Sequence, residues 1–243
     1  MSPGLALATA ERVLRQLRHD PRTLALVIGV PCLLVTLLKY VFEGSQVFDR
    51  IGGPLLGLFP LSSMFVVTSV TMLRERTTGT LERLMSMPIA KLDLLLGYAA
   101  AFGIVAAVQA GVVSALAFGA LDLHVVGAKW AVILLAVANA VLGMAMGLFV
   151  SAFARSEFQA VQFLPAVIFP QLLLCGLFAA REEMARPLEV VSWGLPMSYA
   201  YDALSRVTRG TYGPRLGWDV AAVFGFILLA LLLGALTLRR RTP

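Results

Sequence analysis

The candidates for an acid, base or metal cluster at a membrane interface lie in one polar segment, residues 181–218. The candidates for such a cluster are Glu182, Glu183, Asp202 and Arg206. An enzyme acting on lipid would need them to form an acid–base pair or a metal site. Their spacing matches no catalytic motif, so an integral-membrane lipid enzyme stands only as an alternative.

Other familiar chemistry is missing from the sequence. No Gly-x-x-x-x-Gly-Lys-Ser/Thr is present, so the chain cannot bind ATP in the P-loop manner, and there is no His-Glu-x-x-His pair. Cys32 and Cys175 lie in apolar runs and give neither a disulfide framework nor paired metal ligands. His19 and His124 fall on opposite sides of the membrane in the topology derived below. We therefore expect no catalytic residue, no metal site and no cofactor on this chain.

The densest group of charges lies in residues 74–88, between two long apolar runs. Leu81, Leu84 and Met85 recur at helical spacing, and Pro88 marks an end, so the segment predicts a short amphipathic helix. Such a helix is either a connector lying on the membrane surface or a contact for a soluble partner. We take Glu75, Glu82 and Arg83 as candidate polar contacts and the three apolar residues as the docking face.

The composition indicates a polytopic membrane protein. Hydrophobic residues make up 59% of the 243 residues and charged residues only 14%, against about 25% in an ordinary soluble domain. The apolar residues form runs of roughly 17 to 28, long enough to cross the hydrocarbon core of a bilayer. The net charge of +6 fits basic flanks on the cytoplasmic side. We therefore predict contact with membrane lipids and no nucleic-acid partner.

Six membrane spans are predicted, at residues 23–42, 51–73, 92–121, 128–153, 158–180 and 220–238. Residues 1–22 predict a basic helix at the membrane surface, and residues 181–218 predict one or two short helices on, or dipping into, the outer leaflet. Placing both termini in the cytoplasm puts most basic residues of the short loops inside, as the positive-inside rule requires. In this topology the charged segment 74–88 is cytoplasmic.

Two spans carry the polar residues and prolines that suit a translocation pathway, because such residues seldom face lipid. The candidates are Ser62, Ser63 and Thr68 in the second span, and Gln162, Pro165, Pro170 and Gln171 in the fifth. The fourth span carries Asn139, Gly143, Gly147 and Ser151 at four-residue spacing. That stripe favours close helix packing over a transport role.

Several motifs resemble those of one known family. The pattern Glu75-x-x-x-Gly79-Thr80-Leu81-Glu82-x-Leu84-x-x-x-Pro88 resembles the cytoplasmic motif of ABC-2 type transporter permeases. Two later patterns agree with that family: Pro170-x-x-x-Leu174-x-Gly176 and Leu195-Pro196-x-x-Tyr199-x-x-Asp202-Ala203-Leu204. The similarity is greatest to short bacterial drug-efflux permeases of the daunorubicin-resistance type. One departure is Pro187, since many relatives have prolines near the positions of Ala180 and Ala185, and it affects the expected shape of the outer helices.

The resemblance implies an all-α integral membrane protein of the ABC-2 or type V exporter kind, with one transmembrane domain over residues 1–243. Residues 1–22 would be the elbow helix, residues 74–90 the coupling helix and residues 181–218 the outer re-entrant helices. The coupling residues implied are Glu75, Gly79, Thr80, Leu81, Glu82, Arg83, Leu84, Met85 and Pro88. A separate ATPase dimer would dock there and bind ATP and Mg, and a second permease subunit would complete a homo- or heterodimer.

We therefore expect a permease subunit of an ATP-driven exporter in the bacterial plasma membrane, with a role in efflux and antibiotic resistance. A pathway lined by Ser, Thr, Gln, Phe and Met suits a hydrophobic or amphipathic compound such as a drug, an antibiotic or a lipid-like molecule. Export of polysaccharide or of a lipid-linked glycan is the alternative, since related permeases do this.

Overall fold

The computed structural model describes residues 3–43, 46–86 and 91–237, and every regular element among them is helical. The helices are α1 Pro3–Arg18, α2 Pro21–Val41, α3 Val47–Thr77, α4 Thr80–Ser86, α5 Lys91–Gly119, α6 Lys129–Val150, α7 Glu157–Phe163, α8 Phe169–Leu174, α9 Arg186–Trp193, α10 Pro196–Thr208 and α11 Pro214–Thr237. A π-helical stretch, Leu164–Ile168, joins α7 to α8, and a 3-10 turn, Arg181–Glu183, precedes α9. The predicted all-α class is confirmed.

Six helices within the described residues are long and apolar enough to cross a membrane, which confirms the number and order of the predicted spans. They are α2, α3, α5, α6, the continuous run Glu157–Leu174 and α11. The fifth ends at Leu174 rather than near residue 180, because the chain turns at Gly176 with a φ of +101°. The sixth begins six residues earlier than predicted, at Pro214, a residue suited to the first turn of a helix.

The longest helix, α3, is the centre of the bundle. Its 31 residues correspond to a rise of about 46 Å, and it packs most extensively against α6. At Gly143 an added Cβ would lie 2.0 Å from the carbonyl oxygen of Leu61, and at Gly147 it would lie 2.4 Å from that of Phe65. The two backbones touch at these glycines, which confirms that the four-residue stripe of α6 serves helix packing.

The bundle has two ends, which we call the α4 end and the α10 end. The first turns of α3 lie against α10, where an added Cβ at Gly53 would meet the side chain of Thr208, and α4 follows the last turn of α3. Helix α1 belongs to the α4 end and packs on α5. Its residues Val13 and Leu17 are buried there, so the apolar face of the predicted surface helix is in contact with the bundle.

The polar segment near the α10 end is more deeply packed than its composition predicts. Helix α10 lies against α3, α6 and α11, and Ala200, Ala203 and Leu204 are fully buried. Helix α9 is more exposed and presents Val190 and Trp193 to the surroundings. Two short helices are therefore present, as predicted, but one of them is part of the core.

Candidate functional site: the α4 end of the bundle

The amphipathic helix predicted in the charged segment is α4, and only Thr78 and Gly79 separate it from α3. Gly79 has a φ of +72°, in the left-handed region that side chains rarely adopt. The Gly79 carbonyl accepts a hydrogen bond from the Arg83 amide at 3.1 Å, which starts the new helix. On the other side of the turn, the Thr78 hydroxyl donates to the Arg74 carbonyl at 2.8 Å and closes α3. The chain thus changes direction sharply at Gly79.

Helix α4 packs Leu81 and Leu84 against its own bundle. Leu81 is 4% exposed and belongs to the main core cluster, and Leu84 is half-buried against the same cluster. Arg83 and Ser86 are exposed, and Thr80 is half-buried. Leu81 was expected in a face that docks a partner, and in the structure it packs on the bundle and anchors α4 there. The polar side of α4 is the part left open to a partner.

Of the other residues predicted to couple the chain to an ATPase, the structure describes some and not others. Glu82 and Met85 lie within α4, and Pro88 lies outside the described residues. No observation tests the contact of any of these residues with an ATPase. The coupling role of α4 stays a prediction.

Glu75 lies one turn before the end of α3 and is buried, with 4% of its surface exposed. Its carboxylate accepts hydrogen bonds from Arg12 of α1, at 3.2 Å from Nη1 and 3.5 Å from Nη2. Arg12 Nη2 also lies 2.6 Å from the hydroxyl of Tyr98 on α5. The three side chains join α1, α3 and α5 directly beside α4. Glu75 was expected to contact a partner, and the structure instead gives it an internal ion pair.

Electrostatics favours the charged form of Arg12 in this cluster. Burial opposes that charge, but Tyr98 and Glu75 together raise the pKa of Arg12 above its ordinary value.

Arg12 and Tyr98 were not among the predicted site residues. A usable signal was present for Glu75, because it follows Met72 and Thr68 at helical spacing on one face of α3, and all three are buried.

A second ion pair at this end joins the second span to the fifth. Arg74 of α3 binds Glu157 of α7 in a bidentate arrangement, with distances of 2.7 Å from Nε and 2.9 Å from Nη2. Both side chains are about half exposed, so the pair adds little stability. Its geometry nevertheless ties the start of α7 to the end of α3.

The predicted pathway residues of the second span do not share one surface. Thr68 is fully buried, and its hydroxyl donates to the Met64 carbonyl at 2.7 Å and lies 3.2 Å from the Met144 carbonyl of α6. Ser63 accepts a hydrogen bond from the Gln109 side chain of α5. These two hydroxyls were expected to line a pathway, and the structure uses them in contacts between helices.

Ser62 of the same span donates to the carbonyl one turn earlier, that of Leu58, at 2.9 Å, and it is half-buried. A hydroxyl that is satisfied by its own helix can face apolar surroundings without an unpaired polar group. Ser62 therefore remains compatible with either a pathway or a helix contact.

The fifth span keeps an open face. Gln162, Pro165 and Pro170 are exposed, whereas Gln171 is buried. Gln171 donates to the Val167 carbonyl at 3.0 Å and accepts from the Met197 amide at 3.4 Å, so it fastens α8 to the start of α10. A π-helical stretch, Leu164–Ile168, interrupts this span and contains Pro165.

Two of the four acid–base candidates at the α10 end, Asp202 and Arg206, are engaged in ion pairs. Asp202 is bound by Arg181, and Asp219 lies 2.9 Å from Nε of Arg206. Glu182 and Glu183 are exposed in the 3-10 turn. No group of three or more potential metal ligands occurs in the part of the chain that the structure describes. This arrangement offers no constellation for an enzyme acting on lipid.

Comparison with known proteins places this geometry in a family. The model of the ABC-2 type transporter family matches residues 5–208, from α1 to the end of α10. ABC transporter G family member 20 of Dictyostelium discoideum is 27% identical over 146 residues, which are 60% of this chain and 20% of the relative. The probable multidrug ABC transporter permease YbhR of Escherichia coli K12 is 26% identical over 153 residues, 63% of this chain and 42% of the relative. The chain thus matches less than half the length of each of these relatives.

Proposed function

The chain belongs to the ABC-2 type transporter family, and from this premise we propose that it drives export of hydrophobic or amphipathic compounds together with a separate ATPase. The membrane domain of this family is a permease and lacks ATPase activity. ATP and Mg would therefore be bound by the partner, which would dock as a dimer on two copies of the permease or on a related pair. Helix α4 is the proposed coupling helix.

The observation that carries this proposal is the attachment of α4. It follows the longest helix of the bundle at a turn that only glycine adopts easily. Beside it, the Arg12–Glu75–Tyr98 cluster joins α1 and α5 to the same end of α3. A displacement of α4 would therefore reach three helices at once. Transport coupling requires that the partner bind the two states of the permease with different affinity.

The proposed orientation places the α4 end in the cytoplasm. Arg12, Arg15, Arg74, Arg83 and Arg155 all belong to that end or to its short loops. Such an excess of basic residues marks the cytoplasmic side, so an ATPase could reach α4. We propose a multi-pass chain with both termini cytoplasmic, in a bacterial plasma membrane.

The proposed substrate class follows from the open face of the fifth span. That face combines Gln162, Pro165 and Pro170 with exposed apolar side chains, including Phe169 and Leu173. A surface of that kind suits a compound with large apolar parts, such as a drug or an antibiotic, better than a polysaccharide covered with hydroxyl groups. The printed name of the Escherichia coli relative, a probable multidrug permease, supports the same choice, as does the resemblance to daunorubicin-resistance permeases.

Purification of the tagged chain from its own membranes tests the proposal. We expect an ABC ATPase to accompany it and, in lipid nanodiscs, to hydrolyse ATP faster when amphipathic drugs are added. Arg83→Glu reverses an exposed charge on α4 and should release the ATPase. Arg155→Glu makes the same change in the loop between α6 and α7 and should not. Retention of the ATPase and of drug stimulation by Arg83→Glu would contradict the assignment of α4.

A further inference from the structure

A cavity of about 540 Å³ opens at the α10 end of the bundle. Its walls are the first turns of α3, the segment that follows α8, the 3-10 turn and one face of α10. It therefore lies between the far ends of the second and fifth spans. The charged residues that line it are Arg50, Arg181, Glu182, Asp202, Arg206 and Arg209.

The lining carries an excess of positive charge. Arg181 is neutralised by Asp202, and Arg206 is neutralised by Asp219 just beyond the lining. Arg50 and Arg209 form no ion pair with any of the residues that the structure describes. Both are exposed, and only Glu182 is left to oppose them. Two guanidinium groups thus face the cavity without a bound counter-charge of their own.

The same cavity has an apolar wall. Val47 and Ile51 of α3 belong to its lining, together with Leu177 and Phe178 of the segment after α8. Phe178 is 68% exposed, so the wall continues onto the outer surface of the bundle. A ligand that fills the cavity would meet both basic donors and apolar side chains.

Hydroxyl groups add to the hydrogen-bond donors of the cavity lining. Tyr201, Ser205 and Thr211 belong to the lining together with the arginines. Guanidinium groups bind phosphate and carboxylate through paired N–H donors, and hydroxyls complete the shell of such oxygens. A cationic ligand would find one carboxylate without an ion pair among the described residues, that of Glu182, against two such guanidinium groups, so the lining favours an anion.

We propose that this cavity binds the phosphate or carboxylate group of an amphipathic anion and holds the apolar part of that molecule against the wall formed by α3 and the segment after α8. Arg50 and Arg209 are the residues that provide the charge. If the chain is an exporter, the cavity lies where a compound leaves the pathway, and acidic amphiphiles become part of its substrate class. That last step rests on the proposed function, whereas the binding itself does not.

Ligand titration of the purified chain in phosphatidylcholine nanodiscs tests the site, with no ATPase and no ATP present. The probes are dihexanoyl phosphatidic acid, dihexanoyl phosphatidylcholine and inorganic phosphate, followed by isothermal titration calorimetry. We expect the phosphatidic acid to bind and the phosphatidylcholine, whose headgroup carries no net charge, to bind much more weakly. Inorganic phosphate that binds as tightly as the phosphatidic acid would assign the site to free phosphate, and weaker phosphate binding would assign it to a lipid headgroup.

Substitution distinguishes this cavity from the rest of the surface. The double variant Arg50→Gln with Arg209→Gln should weaken binding of the phosphatidic acid about tenfold or more, since each change removes charged hydrogen-bond donors. Neither side chain holds an ion pair within the described residues, so the variant should fold. Arg186→Gln, an exposed arginine of α9 outside the lining, should leave binding unchanged. Equal binding by wild type and the double variant, or no binding by either, would overturn the proposal.

Failure of the site and failure of the proposed function give different results. If the chain binds phosphatidic acid through Arg50 and Arg209 but never associates with an ATPase, the proposed binding site is supported and the proposed exporter function is contradicted. If the associated ATPase responds to drugs but the cavity binds no anion, the exporter function is supported and the binding site is contradicted.

Discussion

Arg12 Nη1 lies 3.2 Å from Glu75 Oε1, and this contact joins residues 63 positions apart. The arginine comes from the first helix, and the glutamate comes from the last turns of α3. Because Glu75 is buried, its charge depends on this partner. The contact therefore fixes α1 to the helix that leads into α4.

Removal of the arginine should destabilise the protein. Arg12→Gln leaves the buried carboxylate of Glu75 without its charged donor and should lower the free energy of unfolding by about 1–3 kcal/mol. Titration with sodium dodecyl sulfate in mixed micelles measures this change. The double variant Arg12→Gln with Glu75→Gln should recover part of the loss, since no unpaired charge remains.

The matched control is the exposed pair on the same helix. Arg15 and Glu11 are 2.6 Å apart, and both side chains are about 70% exposed. Arg15→Gln should change the free energy of unfolding by less than about 0.5 kcal/mol. Equal losses in Arg12→Gln and Arg15→Gln would show that the Glu75 pair has no special role.

The turn at Gly79 gives an ordered series of variants. An added Cβ at Gly79 would meet nothing within 4 Å, but the φ of +72° strains any other residue, at a cost of about 1–2 kcal/mol. We expect Gly79→Asn to keep more drug-stimulated ATPase activity than Gly79→Ala, and Gly79→Val to keep least, because asparagine tolerates this region best. Gly103→Ala, which also has open space but lies within α5, should behave as wild type. Loss of activity that follows side-chain size alone would contradict the backbone explanation.

Close contact between α3 and α6 makes Gly143 sensitive to a single methyl group. An alanine Cβ would lie 2.0 Å from the Leu61 carbonyl oxygen, so Gly143→Ala must push the helices apart and should cost about 1–3 kcal/mol. Gly111→Ala, with nothing within 4 Å, should leave the free energy of unfolding unchanged or slightly higher. The two variants can be compared in the same detergent titration. Similar stability in both would mean that α3 and α6 separate without cost.

Thr68 and Gln162 were predicted to line one pathway. Because Thr68 is buried and Gln162 is exposed, we expect their substitutions to have different effects on stability and transport. Thr68→Val should change stability by about 1 kcal/mol through the lost hydrogen bond and leave the range of exported drugs as it is. Gln162→Leu, on the open face of the fifth span, should alter that range with little effect on stability. Drug-resistance profiles of cells that express each variant provide the measurement. A changed profile for Thr68→Val alone would reverse the assignment.

Asp202 should give the stability of the protein a pH dependence. Burial raises its pKa to about 6 from the ordinary 3.8, although Arg181 and Arg206 oppose the shift; Asp219 and Glu182 add to it. The folded carboxyl keeps its proton to higher pH than the unfolded one, so its stabilising contribution is complete below 3.8 and lost as the pH rises through about 6. Wild type should therefore lose stability relative to Asp202→Asn between about pH 4.5 and pH 6.5. No loss over that range would mean that Arg181 offsets the effect of burial and the pKa is not raised.

The fold could be predicted from the sequence because a long apolar run that crosses a membrane forms a helix. A backbone without access to water must satisfy its hydrogen bonds internally, and a helix does so. The glycine stripe of α6 was likewise readable, since Gly143 and Gly147 share a face. The early start of α11 was missed, because Trp218 and Asp219 resemble a loop until Asp219 is seen to bind Arg206.

The site was harder to predict because its contacts join distant parts of the chain. Helical spacing placed Leu81 on an apolar face but could not say whether that face meets a partner or the bundle. The partnership of Glu75 with Arg12 and Tyr98 depends on how α1 and α5 pack, which no local pattern records. The same limit applies to Arg50 and Arg209, which are far apart in the sequence and line one cavity only because the first turns of α3 pack against α10.

The length of α3 makes it a lever. Between Gly53, held against Thr208, and its end at Thr77, the helix rises about 36 Å. A rotation of about 10° around Gly53 would carry the start of α4 through about 6 Å, roughly one helical turn. Because Arg12 and Tyr98 are fastened to the moving arm rather than to its pivot, α1 and the start of α5 would travel with it. A small rotation of α3 near the α10 end thus corresponds to a large displacement of α4, where the ATPase is proposed to bind.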